Sequence, residues 1–249
     1  MWQTLLAVAF WVAVWQGLAV CIGHNGLFLA TPLQTVQTLW RLLPTADFWH
    51  RVGFSALRIL TGFVLAVTVG LLLGACGARW RWFGTLVGPV MQLIRAMPVA
   101  SFVILALLWV SGKNLSVIVS FTHVLPVVYA GTVGGIADTD PALLEMAKVY
   151  RLPLGKRLRY IWLPGMFPSF CENCIAAMGM CWKSGVSAEV IGLPDHSVGD
   201  ALYRAKITLS TPDVFAWTLV IVLLSALLST VAARLLRAVK ARLCGEVQA

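Results

Sequence analysis

Apolar stretches of about 20 residues, parted by short polar turns, recur six times along this chain. A helix that crosses a bilayer needs about 20 such residues, so the pattern predicts spans near 5–22, 55–76, 87–110, 115–136, 166–191 and 214–236. Residues 23–50 are mixed, with His24, Asn25, Gly26, Pro32 and Pro44. Within them, residues 32–43 predict a short amphipathic helix lying at the membrane interface. The second span carries Gly70 and Gly74 at a spacing that permits close approach of another helix. Arg79 and Arg81, between Trp80 and Trp82, read as a short basic loop at 78–84. Residues 192–212 read as a loop with Asp195, His196 and Asp200.

The longest charged segment in this apolar chain is 138–164, DTDPALLEMAKVYRLPLGKRLRYIWLP. Asp140 suits a helix N-cap and Pro141 its first turn. Glu145, Lys148 and Arg151 recur at spacing three and form a polar stripe beside Leu143, Leu144, Ala147 and Tyr150. Pro153 stops that helix and starts a second short one carrying Lys156, Arg157 and Arg159. A short basic helix pair held between spans reads as a docking element.

Composition sharpens the class. Of 249 residues 59% are hydrophobic and 12% charged, against about 25% charged in soluble domains. The chain is a polytopic all-α membrane protein. Its net charge of +9 more often sets topology than binds nucleic acid, and no basic run is interleaved with aromatics. The N-terminus lacks a basic n-region and a small-residue cleavage site, so it reads as a retained first span. Eleven of the nineteen basic residues (Arg79, Arg81, Lys148, Arg151, Lys156, Arg157, Arg159, Arg234, Arg237, Lys240 and Arg242) fall on one side of the six spans. The positive-inside rule puts that side, with both termini, in the cytoplasm.

Charged groups inside spans avoid lipid and are functional candidates by default. Lys183 lies in the fifth and most polar span. Glu172, Ala176, Gly179, Lys183 and Ser187 fall on one helical face, a small or polar stripe suited to a second helix or a water-filled path. Arg95, Trp182 and Glu189 complete the set of candidate pore-lining residues with Lys183 and Ser187. His123 is a lone histidine and reads as packed; Cys171 and Cys174 have CxxC spacing without further ligands, so no metal is expected.

The segment Glu145-Met146-Ala147 followed by Ile161, Leu163 and Pro164 resembles the cytoplasmic loop of permeases of binding-protein-dependent ABC importers of type I. That loop reads Glu-Ala-Ala, three residues, Gly, nine residues, Ile-x-Leu-Pro. Here Met146 replaces the first Ala and Arg151 the Gly, which predicts a reshaped turn helped by Gly155. The resemblance runs over about residues 30–240 and is closest to the nitrate, sulfonate and taurine branch. Arg95-Ala96-Met97-Pro98 resembles that family's Arg-Ala-x-Pro, but Val99 and Ile104 stand where further prolines are common, which predicts a straighter helix. Glu189 resembles its Ala-Glu segment.

The resemblance implies a six-span permease with residues 1–54 as a first span and external amphipathic segment, 55–236 as the core with coupling loop 138–164, and 237–249 as a basic cytoplasmic tail. It implies a homodimer in the cytoplasmic membrane, two cytoplasmic ATP-binding subunits docked on Glu145, Met146, Ala147, Lys148, Arg151, Ile161, Leu163 and Pro164, and an extracytoplasmic solute-binding protein. The solute would be a small organic or inorganic anion such as a sulfonate or nitrate, or a vitamin precursor. ATP and Mg would sit on the partner ATPase, with no cofactor on this chain. The sequence has no Gly-x-x-x-x-Gly-Lys-Ser/Thr phosphate loop and no hydrolase motif. The alternatives from other classes are an intramembrane enzyme using Glu172, Glu189 or His123, and an ion-coupled secondary carrier; the absence of an internal repeat gives the carrier no support.

Overall fold

The computed structural model describes residues 2–22 and 29–245. His24, Asn25 and Gly26, read above as mixed sequence, and the last four residues of the basic tail lie outside the described residues. Every element among the described residues is a helix. They are α1 (Trp2–Ile22), α2 (Pro32–Leu42), α3 (Ala46–Arg79), α4 (Arg81–Ala96), α5 (Val99–Ala106), α6 (Gly112–Ala137), α7 (Pro141–Val149), α8 (Leu154–Arg157), α9 (Leu163–Gly192), α10 (Val198–Ile207) and α11 (Thr211–Gly245), with a π-helical turn (Leu158–Trp162) joining α8 to α9.

Local chemistry accounts for several boundaries. Thr31 caps α2, accepting from the Gln34 amide while the Gln34 side chain accepts from the Thr31 amide. Thr45 accepts from the Phe48 amide and starts α3 well ahead of the predicted span, so Asp47 and Arg51 occupy its first turns. The loop expected at 78–84 shrinks to one residue: Trp80 alone is extended, and α4 starts at Arg81. The third span is bent rather than straight. Met97 takes φ −71° and ψ 130°, as a residue before proline prefers, and α4 and α5 meet at 102°. Pro98 alone suffices for the break, without the additional prolines.

Among the described residues three helices are long and apolar enough to cross a membrane, Ala46–Arg79, Gly112–Ala137 and Thr211–Val239; the bent pair α4–α5 has the length and apolarity of a fourth when taken as one broken span. Apolar residues of α1 form the shorter run Ala9–Cys21. The expected fifth span is not among these helices: α9 is long enough, at 30 residues or about 45 Å, but carries too many polar positions, so four of the six expected spans at most are found on length and apolarity.

The centre of the bundle is α6, packed along α3 on one side and α9 on the other. Both contacts depend on small residues. A Cβ on Gly74 of α3 would lie 2.6 Å from Cβ of Thr132, and one on Gly185 of α9 would lie 2.6 Å from Ile59 Cγ1 and 2.7 Å from Ser120 Oγ. Between lipid-embedded helices the gain is van der Waals contact rather than exclusion of water, and it needs this proximity. Ile59, Val124, Val128, Cys181 and Trp182 fill the interior of this stack.

At the end remote from α7, the expected loop 192–212 contains α10. Ser197 caps it by accepting from the Asp200 amide, and Arg204 and Lys206 sit in its last turn. The helix is short and half polar, so the apolar count passed over it. Arg51 joins Asp47 at 2.6 Å and Asp200 at 2.9 Å; Arg204 also reaches Asp200, and Arg41 meets Asp213 at 3.1 Å. These pairs tie α3 to α10 and α2 to α11 at that end.

Replacing Gly74 by Val is expected to push α3 from α6 and lower the thermal midpoint of the purified protein by the equivalent of about 1–3 kcal/mol, as overpacking does. Gly53→Ala is the control: no atom lies within 4 Å of its added Cβ, so it should be neutral or gain up to about 1 kcal/mol from helix propensity.

Candidate functional site

The middle of α9 shows a sharp division of faces. Ala177, Met178, Cys181, Trp182, Ser184, Gly185, Val186, Ala188 and Glu189 are buried against α3, α6 and α11, whereas Glu172, Ala176, Lys183 and Ser187 are exposed. Four of the five residues of the stripe read from the spacing are therefore open along one side of the chain, while Gly179 is half-buried beside Ser229 of α11. Lys183 has no ion pair among the described residues, where the four pairs present all lie at the α10 end. Ser187 donates to the Lys183 carbonyl at 2.9 Å, an ordinary contact one turn away. An ammonium on an open face of a membrane helix is not stable in lipid. It has to meet water, a ligand or another polypeptide.

Two candidates grouped with the stripe point elsewhere. Trp182 is fully buried, its indole Nε1–H donating to the Ile221 carbonyl of α11 at 3.0 Å. Glu189 is also fully buried. One of its oxygens accepts from Ser55 Oγ at 2.7 Å and from the Gly199 amide at 3.3 Å, with the charge of Arg58 nearby. Ser55, Arg58 and Gly199 were not singled out in the sequence. The Ser-x-x-Arg spacing on α3 was a visible signal, but its partner lies far along the chain.

Arg95 is exposed beside the α4–α5 bend. With Gln92, Gly88 and Met91 it faces Pro126 and Tyr129 of α6 across a cleft of about 300 Å³. Since Ser120 of α6 meets Gly185 and Gly131 meets Asn173, Pro126 is level with the centre of the α9 stripe. Arg95 and Lys183 are thus on different helices, with Arg95 beside 126–133 of α6 and Lys183 nearer the level of Ser120.

The charged segment forms a second candidate surface. Asp140 Oδ1 accepts from the Ala142 amide at 2.8 Å and caps α7 as expected. At the other end Arg151 adopts φ 49°. The turn is not reshaped: Arg151 takes up the left-handed conformation that glycine favours, at a cost of about 1–2 kcal/mol. The compensation is visible. The Leu152 amide bonds the Ala147 carbonyl at 3.0 Å and the Arg151 amide bonds that of Lys148 at 3.1 Å, a Schellman ending. Arg157 Nη2 donates to the same Ala147 carbonyl at 3.0 Å. Gly155 keeps negative φ and lies in α8.

Ala147 and Ile161 are buried, Leu163 and Pro164 half-buried, and Glu145, Met146, Lys148 and Arg151 exposed. Leu143, Val149, Tyr150 and Leu154 are exposed as well, an apolar patch ringed by charge. Residues 154–192 are helical without a break, because the π turn takes up Pro164 and the helix runs on.

His123 Nδ1 lies 3.2 Å from the Val119 carbonyl, which accepts from it in the Nδ1–H tautomer, a local contact within α6. Cys171 and Cys174 are buried in α9. Among the described residues no group of three or more His, Cys, Asp or Glu side chains is arranged to hold a metal.

Comparison with known proteins gives the family. The chain is 30% identical over 240 residues to the putative aliphatic sulfonates transport permease protein SsuC of Escherichia coli, covering 93% of this chain and 90% of that one. It is 24% identical to the taurine transport system permease protein TauC of the same organism, over 97% and 89% of the two chains. It is 23% identical to the nitrate import permease protein NrtB of Synechococcus elongatus, over 81% and 75%. A crystal structure of an amino acid ABC transporter with histidines shares the fold, with a TM-score of 0.50 at 21% identity over 80% of this chain and 99% of that one. Residues 52–244 match the model of one family, and the chain belongs to it: the binding-protein-dependent transport system inner membrane component family.

Proposed function

We propose that two copies of this permease enclose a path for a small anion, lined in part by the α9 stripe and by Arg95, and opened by ATPase subunits bound at 138–164. The observation that carries the proposal is Lys183, an ammonium with no ion pair among the described residues, on an open face of the long helix α9. A second copy of the chain facing that stripe would enclose it, and a solute with negative charge would complement it. The relatives whose names mention sulfonates, taurine and nitrate make a sulfonate or nitrate-like anion the leading solute class. By the same reading the six-span topology has both termini and the 138–164 loop in the cytoplasm, and an extracytoplasmic binding protein delivers the solute to the α10 end. Residues 1–54 form the first span and external segment ahead of the core 55–236, and ATP and Mg belong to the partner ATPase.

The mechanics follow from continuity. Helix α7 is fastened to α8 through Arg157 and the Ala147 carbonyl, and 154–192 is one helical rod of about 58 Å at 1.5 Å per residue. A displacement of α7 by closing ATPases would be passed along that rod to Lys183 as rigid-body motion, the usual form of such transitions. The exposed Leu143, Met146, Val149 and Tyr150 give the ATPase an apolar surface, and Glu145, Lys148 and Arg151 give it charge.

Two outcomes are expected. Glu145→Lys reverses a charge on the exposed face of α7 and should cut uptake at least tenfold, while the thermal midpoint moves by no more than about 2 °C, as for other surface substitutions in a chain of this size. Normal uptake and normal substrate-stimulated ATP hydrolysis would remove the coupling role. For the path, Lys183→Ala should lower uptake per assembled transporter roughly tenfold, the weight of one charge-assisted hydrogen bond. Lys183→Glu should lower it about 100-fold or more because like charges oppose each other, and Lys183→Arg should retain the most. Uptake per complex that is equal in all three would contradict the path.

A further inference from the structure

Glu189 joins three helices through one carboxylate oxygen. That oxygen accepts from Ser55 Oγ of α3 at 2.7 Å and from the Gly199 amide of α10 at 3.3 Å. Ser55 Oγ in turn accepts from the Val198 amide at 2.9 Å. The first two amides of α10 are thus satisfied by α9 and α3, in a place fully closed to solvent. Unmade bonds there would be costly. Gly199 is essential to the fit, because a Cβ on it would lie 2.4 Å from Cβ of Glu189 and 2.5 Å from its carbonyl carbon. The link between α9 and α10 is five residues long and holds Leu193 and His196 at positive φ. Such a link would not by itself fix α10. A second attachment, Arg51 to Asp200, holds α10 to α3 but not to α9.

Residue spacing adds the functional consequence. Glu189 and Lys183 are six residues apart and so project about 120° from each other around α9. Holding Glu189 inward against Ser55 turns Lys183 outward to the open face. We propose that Glu189 is the positioning residue of the transport path: it locks α10 to α9 and α3, sets the rotation of the stripe, and makes α10 move as one body with the helix that bears Lys183. This rests on reading the stripe as the path. The lock itself does not need that reading, and the two separate experimentally.

The test is hydrogen exchange and coupled transport, measured on the assembled transporter in lipid nanodiscs or vesicles. Glu189→Ala removes the shared acceptor. It is expected to speed exchange of the 198–207 amides 10- to 100-fold, leave α6 unchanged, and lower uptake per ATP hydrolysed at least fivefold. Gly199→Ala, which attacks the same joint from the α10 side, should give the same pattern. Glu189→Gln keeps an acceptor oxygen and should stay within threefold of the unaltered chain in α10 exchange. Unchanged α10 exchange in Glu189→Ala would overturn the lock. Faster exchange throughout α6 in both variants would also overturn it, since Glu189 would then merely hold the fold. Faster α10 exchange with unaltered uptake per ATP would overturn the positioning role. If Lys183→Ala transports normally, the path reading fails, and α10 exchange still decides the lock.

Discussion

Everything in this bundle depends on how closely α6 can approach α3 and α9. Small residues at Gly62, Gly74 and Gly185 let backbones and short side chains meet where any Cβ would collide. In a membrane this proximity replaces the burial of apolar surface that holds soluble proteins together. It also fixes rotation. With Cys181, Gly185 and Glu189 turned into the stack, Lys183 and Ser187 have nowhere to go but the open side. The polar stripe is therefore a product of the packing on the opposite face of the same helix.

The family's ATP-driven import and the geometry meet in α9. At one end it continues the charged segment through α8 and the π turn; at the other it ends in the Glu189 joint beneath α10. From α8 to the end of α9 no loop interrupts the helix, so a displacement is not dissipated along it. The one strained residue in the docking segment, Arg151 at φ 49°, is held by the bonds that converge on Ala147 and its neighbour. Strain of this kind persists only where the surroundings over-determine it.

Much of the architecture was legible in the sequence because long apolar runs and N-cap residues are local signals. The apolar runs, the amphipathic helix after Thr31, the cap at Asp140 and the stripe on α9 all follow from spacing alone. What was missed depends on contacts between distant residues or on tertiary override. The break before Pro98 was underrated because proline count was taken in place of the local preference of Met97. Helix α10 is too short and polar for an apolar count, although Ser197 and Asp200 announce its start. Glu189 and Trp182 carry the chemistry expected of a path, yet partners on α3, α10 and α11 draw them inward, and no periodicity reveals which buried partner a polar side chain will find.

The central claim is that one face of α9 meets water inside an assembled transporter. Single cysteines placed along 172–191, with the native cysteines replaced, measure this directly through their reaction with a charged, membrane-impermeant thiol reagent. The account expects reaction at 172, 176, 183 and 187, silence at 174, 177, 178, 181 and 188, and protection of 183 and 187 by the transported anion. Silence at 183 and 187, with quenching there by a lipid-borne spin label, would contradict it.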